Sequence, residues 1–201
     1  MPYLLIALLL LGLVFGPSLW VRHVMRRYSE PEDRYPGTGA ELVRHLARAM
    51  QVEGLDVERT DSGDHYDPST GTIRLSPAHH DGRSLAAVTI AAHEFGHALQ
   101  DRDGYPPLRL RTRLVRTTHG LERLGVGLMM AAPVLAVVTR APGIGVLSLL
   151  GGLLSLGSSV VVHLVTLPTE FDASFNRALP LLEAADILKP EDRPHARRLL
   201  A

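Results

Sequence analysis

Apolar residues gather in three long runs, and the chain between them alternates apolar and polar positions at helix and strand periods. The first run covers positions 3–21 and is interrupted only by Gly12, Gly16, Pro17 and Ser18. At about 1.5 Å per helical residue it is long enough to cross about 30 Å of hydrocarbon. No basic side chain precedes it, and it leaves through Trp20 into Arg22, His23, Arg26 and Arg27. That pattern predicts a retained membrane anchor rather than a cleaved signal peptide. The other runs, 124–139 and 144–167, are joined by Arg140-Ala141-Pro142-Gly143 and predict a membrane hairpin. Gly151, Ser155 and Ser159 recur every four residues in the second, a small-residue stripe suited to close packing in lipid.

Between the anchor and the hairpin, positions 22–106 read as a small water-exposed domain. A linker rich in Pro, Gly and charge spans 29–39. Positions 38–50 predict a helix whose apolar face is Leu42, Val43, Leu46, Ala47 and Met50. Alternation over 55–59 predicts an edge strand, and 65–76 reads as strand, turn, strand around Pro68 and Gly71. The strand at 72–76 is the expected edge to which a peptide could add; an ordinary hairpin over the core is the other reading. A nearly all-apolar helix without proline follows from Leu85.

Positions 107–123 are different again. Arg109, Arg111, Arg113, Arg116 and Arg123 are interleaved with Leu108, Leu110, Leu114, Val115 and Leu121, which predicts a basic amphipathic helix at an anionic membrane surface. RNA binding is the weaker alternative, since no companion module is present. Charge also sets the expected topology. The arginine-rich segment and the chain after 167 lie on one side of the hairpin, and only Arg140 lies on the other, so the domain is expected to face the cytoplasm.

The whole chain has 201 residues, with 21 basic and 21 acidic side chains, so net charge gives no reason to expect nucleic acid. It has no cysteine, so any metal must be held by His, Asp or Glu. The apolar helix contains His93-Glu94-Phe95-Gly96-His97. Residues four apart share a helix face, so His93 and His97 can address one ion, with Glu94 beside them to accept a proton from a metal-activated water. Gly96, between the two histidines, would let another segment approach closely. A catalytic zinc keeps three protein ligands and an open position. The third ligand must lie on the same membrane side, and Glu170, just after the last apolar run, is the expected residue. Pro168 is expected to start a new helix there, with Thr169 and Asp172 as its capping pair.

Several motifs now stand in order: His-Glu-x-Gly-His-Ala-x-Gln, a preceding Tyr-Asp-Pro…Ile-Arg-Leu-Ser pair, a following Gly-Tyr-x-Pro-Leu, and Leu-Pro-x-Glu-Phe-Asp-Ala-Ser. Together they resemble the YugP-like neutral zinc metallopeptidases, a family of membrane zincins. The resemblance covers nearly the whole chain. It implies an integral-membrane zinc peptidase with His93, His97 and Glu170 at the metal positions and Glu94 as catalytic glutamate. Glu170-Phe171-x-Ala173 is more distantly similar to the third-ligand helix of the heat-shock and CaaX-processing membrane proteases, which carry an orienting aspartate four residues after the ligand. Here that position is Ser174 and the aspartate is Asp172, which leaves Asp172 either to orient a ligand histidine or to cap its helix.

Other polar residues are weaker candidates. His79 and His80 flank a turn and are expected at the surface. His163, inside an apolar run, is expected to make an interhelical hydrogen bond. His65, Tyr66 and Tyr105 are candidates to stabilise an oxyanion, with structural roles as the alternative.

The sequence therefore predicts an α-rich membrane protein of about three transmembrane helices bearing a small α+β zincin-like domain. The expected order is an anchor (1–21), the zincin-like domain (22–106), the basic segment (107–123), the hairpin (124–167) and a helical C-terminal segment (168–201). The expected activity is Zn2+-dependent peptide hydrolysis at a bacterial cytoplasmic membrane. The expected partners are the bilayer and a peptide or membrane-protein substrate, with no nucleic acid. The rival readings are a noncatalytic scaffold with a structural metal and a zinc hydrolase of non-peptide amides.

Overall fold

A computed structural model describes residues 2–201, apart from the side chains at 2–8, 10, 11, 13, 14, 116, 117, 119, 121, 122, 142, 156, 158 and 159. The chain forms two compact units. One comprises Met1–Arg102 with Asp172–Ala201, and the other Asp103–Phe171.

In the first unit, helix α1 (Pro2–Tyr28) leads through the linker to α2 (Gly39–Ala49). Thr38 caps α2: its side chain accepts from the Glu41 amide, and the Glu41 carboxylate accepts from the Thr38 amide. The sheet has three strands, β1 (Asp56–Arg59), β2 (His65–Asp67) and β3 (Thr72–Leu75), in the order β1-β3-β2. Strands β1 and β3 run parallel with Val57 opposite Ile73, and β2 is antiparallel to β3 with Tyr66 opposite Ile73. This corrects the expectation that 72–76 is an edge. Strand β3 is central, both its sides are paired, and Ile73 and Leu75 are fully buried. The edges are β1 and β2.

A short helix, α3 (Pro77–His80), precedes α4 (Leu85–Arg102), around which the unit is built. Helix α4 is buried on nearly every face: Leu85, Val88, Ala91, Ala92, Phe95 and Leu99 all pack into the core with Val43, Leu46 and Ile73. A helix apolar on all sides can be stable in water only if other elements wrap it. Those wrapping elements include a π-helical segment (Asp172–Ala178), α7 (Leu179–Ala184) and α8 (Arg193–Leu200), so the C-terminal residues 172–201 are part of the same core as 22–102.

Polar contacts fasten the C-terminal segment. Asp192, 2% exposed, accepts from Tyr35 Oη at 2.6 Å and Arg34 Nη2 at 2.7 Å. Tyr28 Oη lies 3.0 Å from His195 Nδ1, and Arg198 sits over the Trp20 ring at 5.7 Å. His79 is buried rather than at the surface, because Asp64 reaches its Nδ1 at 2.7 Å; the same carboxylate also accepts from the Ser76 amide.

The second unit is a helical hairpin of α5 (Pro106–Val138) and α6 (Pro142–Phe171). The basic stretch and the first apolar run of the hairpin are therefore one continuous helix. Three glycines set the helix spacing: a Cβ at Gly152 would collide with Met129 Cγ, one at Gly125 would meet Ser155 Cβ at 2.7 Å, and one at Gly145 would meet Ala136 Cβ at 2.7 Å. Small residues do permit the close approach, but Gly125, Gly145 and Gly152 carry it with Ser155. Gly151 has only Leu128 at 3.8 Å, and the Ser159 side chain lies outside the described ones. Pro168 does not start a helix; α6 runs through it to Phe171.

Outward-facing apolar side chains are numerous in this unit: Met130, Val137, Val138, Leu147 and Leu154 are each at least 70% exposed. Among the described residues, one helical stretch, Gly143–Ala184, is long and apolar enough to cross a membrane, and Arg123–Val138 is a shorter apolar helix. The N-terminal anchor expected over 1–21 forms the first part of α1, but most of its side chains lie outside the described ones.

Burial alone would raise the Asp192 carboxyl, but the hydrogen bonds from Arg34 and Tyr35 outweigh it and hold the group below the ordinary carboxylate range. A depressed folded-state pKa contributes stability above the ordinary value of about 3.9 and loses it as pH falls through the depressed value. Asp192→Ala is expected to cost about 2–3 kcal/mol at neutral pH. It should also flatten the acid limb of the stability profile, measured by denaturation of the detergent-solubilised protein from pH 7 to pH 2.

Candidate metal centre

Helix α4 carries His93, Glu94, Gly96, His97 and Gln100 without a break. His93 and His97 stand one turn apart with their rings edge to face, centroids 4.8 Å apart. Glu94 and His97 are buried, and His93 is partly so. Two imidazoles and a carboxylate in an apolar helix carry a desolvation cost that partners must offset.

The π-helical segment supplies part of that pairing. It crosses α4 at Gly96, where an added Cβ would meet the Ala173 carbonyl oxygen at 2.6 Å. On one side of that crossing Ser174 Oγ lies 3.1 Å from His93 Nδ1. On the other, Gln100 Nε2 donates to Asp172 Oδ2 at 2.8 Å, and Gln100 Oε1 lies 2.9 Å from His97 Nδ1. Arg177 Nε and Asn176 Nδ2 donate to the same aspartate at 2.8 and 3.0 Å. Both histidines thus have Nδ1 engaged away from their shared face. Local π-winding is frequent at functional sites, and here it sets Asp172, Ala173 and Ser174 against α4 together.

Glu170 lies in the last turn of α6, two residues before Asp172. The ligand-capable atoms of His93, His97 and Glu170 all lie within 4.8 Å of one another, and among the described residues they form the one such group. The donor set fits zinc: nitrogen and carboxylate donors about 2 Å from a common ion stand at most about 4 Å apart, a small adjustment from this arrangement. Arg111 Nη2 contacts Glu170 Oε1 at 2.8 Å, fixing one carboxylate oxygen by a charge-assisted bond.

Of the remaining predicted residues, Ser174 reaches His93 directly, and Asp172 acts on His97 only through Gln100. Of the oxyanion candidates, His65 and Tyr66 have other hydrogen-bond partners. His65 Nδ1 lies 2.8 Å from the Gly63 carbonyl oxygen. Tyr66 donates to Asp101 at 2.9 Å; burial first, then that bond, pushes its phenol well above the usual value and keeps it protonated. Tyr105 stands at the N-cap position of α5 without a side-chain capping bond. His163 is exposed on α6, with no interhelical hydrogen bond among the described residues. Sequence reasoning missed Gln100 and Arg111 as contributors. Gln100 was signalled by being polar in a buried helix seven residues, two turns, beyond His93.

A His-Glu-x-x-His helix with a third carboxylate from a later segment is the donor arrangement of a zinc-hydrolase centre. The model of the family described as "Putative neutral zinc metallopeptidase" matches residues 3–201, and the chain belongs to that family. It is also 29% identical over 204 residues to the "Putative membrane protease YugP" of Bacillus subtilis (strain 168), covering 100% of this chain and 86% of that protein. No solved structure matches.

Gly96→Ala is expected to displace the π-helical segment, since its Cβ would press on backbone rather than on a flexible side chain. The expected cost is about 1–3 kcal/mol in thermal or chemical denaturation, with zinc affinity falling in parallel. An unchanged melting temperature would show that the crossing tolerates a methyl group.

Proposed function

We propose that this chain is a membrane-anchored zinc peptidase, hydrolysing peptide bonds with Glu94 as general base. The observation that carries the reading is the gathering of His93, His97 and Glu170 within 4.8 Å beside the buried Glu94. His93, His97 and Glu170 hold the ion, and Ser174, Gln100 and Arg111 keep them in place. Zinc, when bound, polarises the scissile carbonyl and lowers the pKa of water. Glu94 accepts the proton from the attacking water and hands it to the leaving amine. Its burial beside the ligands keeps bulk water from competing for that proton.

Substrate entry is proposed at the sheet edge. With β3 paired on both sides, β2 offers an outer edge to an extended peptide, and the Tyr66–Asp101 bond fastens β2 to the end of α4. The exposed leucines and valines of α5 and α6 suit lipid contact, since a soluble protein rarely exposes so large an apolar surface. The proposed topology places α1 and the hairpin in the bilayer and the catalytic unit in the cytoplasm, with the arginines of early α5 at the anionic headgroups. Peptides or membrane-protein segments near the bilayer are the proposed substrates.

The test is cleavage of a peptide library by detergent-purified, zinc-loaded protein beside Glu94→Gln. The substitution should retain one zinc per chain and lower cleavage by about 10²–10⁴-fold. Equal cleavage by both proteins would remove Glu94 from the mechanism. A zinc-loaded wild type that cuts no peptide would favour the scaffold or a hydrolase of other amides.

A further inference from the structure

The geometry points to Gln100 as a positioning residue that fixes the tautomer of His97 and so prepares its Nε2 to bind the metal. Asp172 takes hydrogen bonds from Arg177 and Asn176 and stands 2.8 Å from Arg177 Nε, so it is an ionised acceptor. An ionised carboxylate cannot donate, so the group Gln100 turns toward Asp172 must be its NH2. The other end of the amide is then its oxygen, which only accepts. His97 Nδ1, 2.9 Å from that oxygen, must therefore carry the ring proton. A neutral imidazole protonated at Nδ1 has its lone pair at Nε2, the form a metal requires.

The amide transmits the direction set by Asp172 to His97 without placing a second negative charge in the core. Gln100 is 0% exposed, so bulk water does not reach either end of the amide. An aspartate bonded directly to the imidazole would do similar orienting work but would bury its charge one residue deeper. Seven residues separate His93 from Gln100, and the π-helical segment reaches one with Ser174 and the other with Asp172, so a single packed crossing orients both histidines.

The metal half of this inference rests on the zinc-peptidase reading, but the tautomer half does not, and the experiment separates them. In metal-free full-length protein in detergent, long-range ¹H–¹⁵N correlation should show His97 overwhelmingly as the Nδ1–H form. Gln100→Met, close in volume but unable to hydrogen-bond, should give a mixture of tautomers. It should also weaken zinc binding about 10–100-fold in competition with a chromophoric chelator. Asp172→Asn acts at the far end of the relay and lets the Gln100 amide reverse; it should also lower the Nδ1–H fraction, which keeps the test available if Gln100→Met does not fold. A His97 tautomer unchanged in the folded variants would overturn the assignment. If wild type shows the Nδ1–H form yet binds no zinc, the relay stands and the peptidase reading falls.

Discussion

The site depends on one contact between backbones: α4 and the π-helical segment touch at Gly96 and Ala173. With no side chain at 96 the segments approach until the Ala173 carbonyl occupies the space a Cβ would fill. That distance places Ser174 within reach of His93 and Asp172 within reach of Gln100. Were the segments a methyl group further apart, both hydrogen bonds would stretch beyond useful length, since such bonds fade past about 3.2 Å. Packing and chemistry are set by the same missing atom.

Burial raises the stakes. Glu94, His97 and Gln100 lie among Phe95, Ala98, Leu99 and the core of the first unit. Polar groups in such surroundings cost free energy unless paired. Beside the His97–Gln100 bond within α4, pairing comes from Ser174 and Asp172, more than seventy positions later. Hence 172–201 has to be part of the same unit as the helix it serves. Asp192, held by Arg34 and Tyr35, and His195, against Tyr28, fasten that returning segment at its far end.

Much of this was legible in the chain. His93, Glu94 and His97 announce themselves by spacing on an apolar helix, and Gly96 by standing between them. Glu170, the first acidic residue after the last apolar run, belongs to the one candidate metal group among the described residues. Capping chemistry marked α2 through Thr38 and Glu41. What escaped was what no local pattern encodes. The order β1-β3-β2 makes β3 central, and alternation along a strand is silent about which neighbours it pairs with. Pro168 looked like a helix start because proline favours that position, yet α6 continues through it, one carbonyl short of its usual partner. Gln100 stands out as a polar residue on an apolar helix, but its role rests on a partner 72 residues away. His79 looked exposed because the carboxylate that buries it, Asp64, sits fifteen residues upstream.

Asp172 and Ser174, two residues apart on the π-helical segment, both serve α4 because they flank the residue that touches it. The wider turn over Asp172–Ala178 aims Ala173 at Gly96 and sends its two neighbours to either flank. A serine can then take the place four residues after Glu170, and an aspartate two residues after it can act at one remove through Gln100.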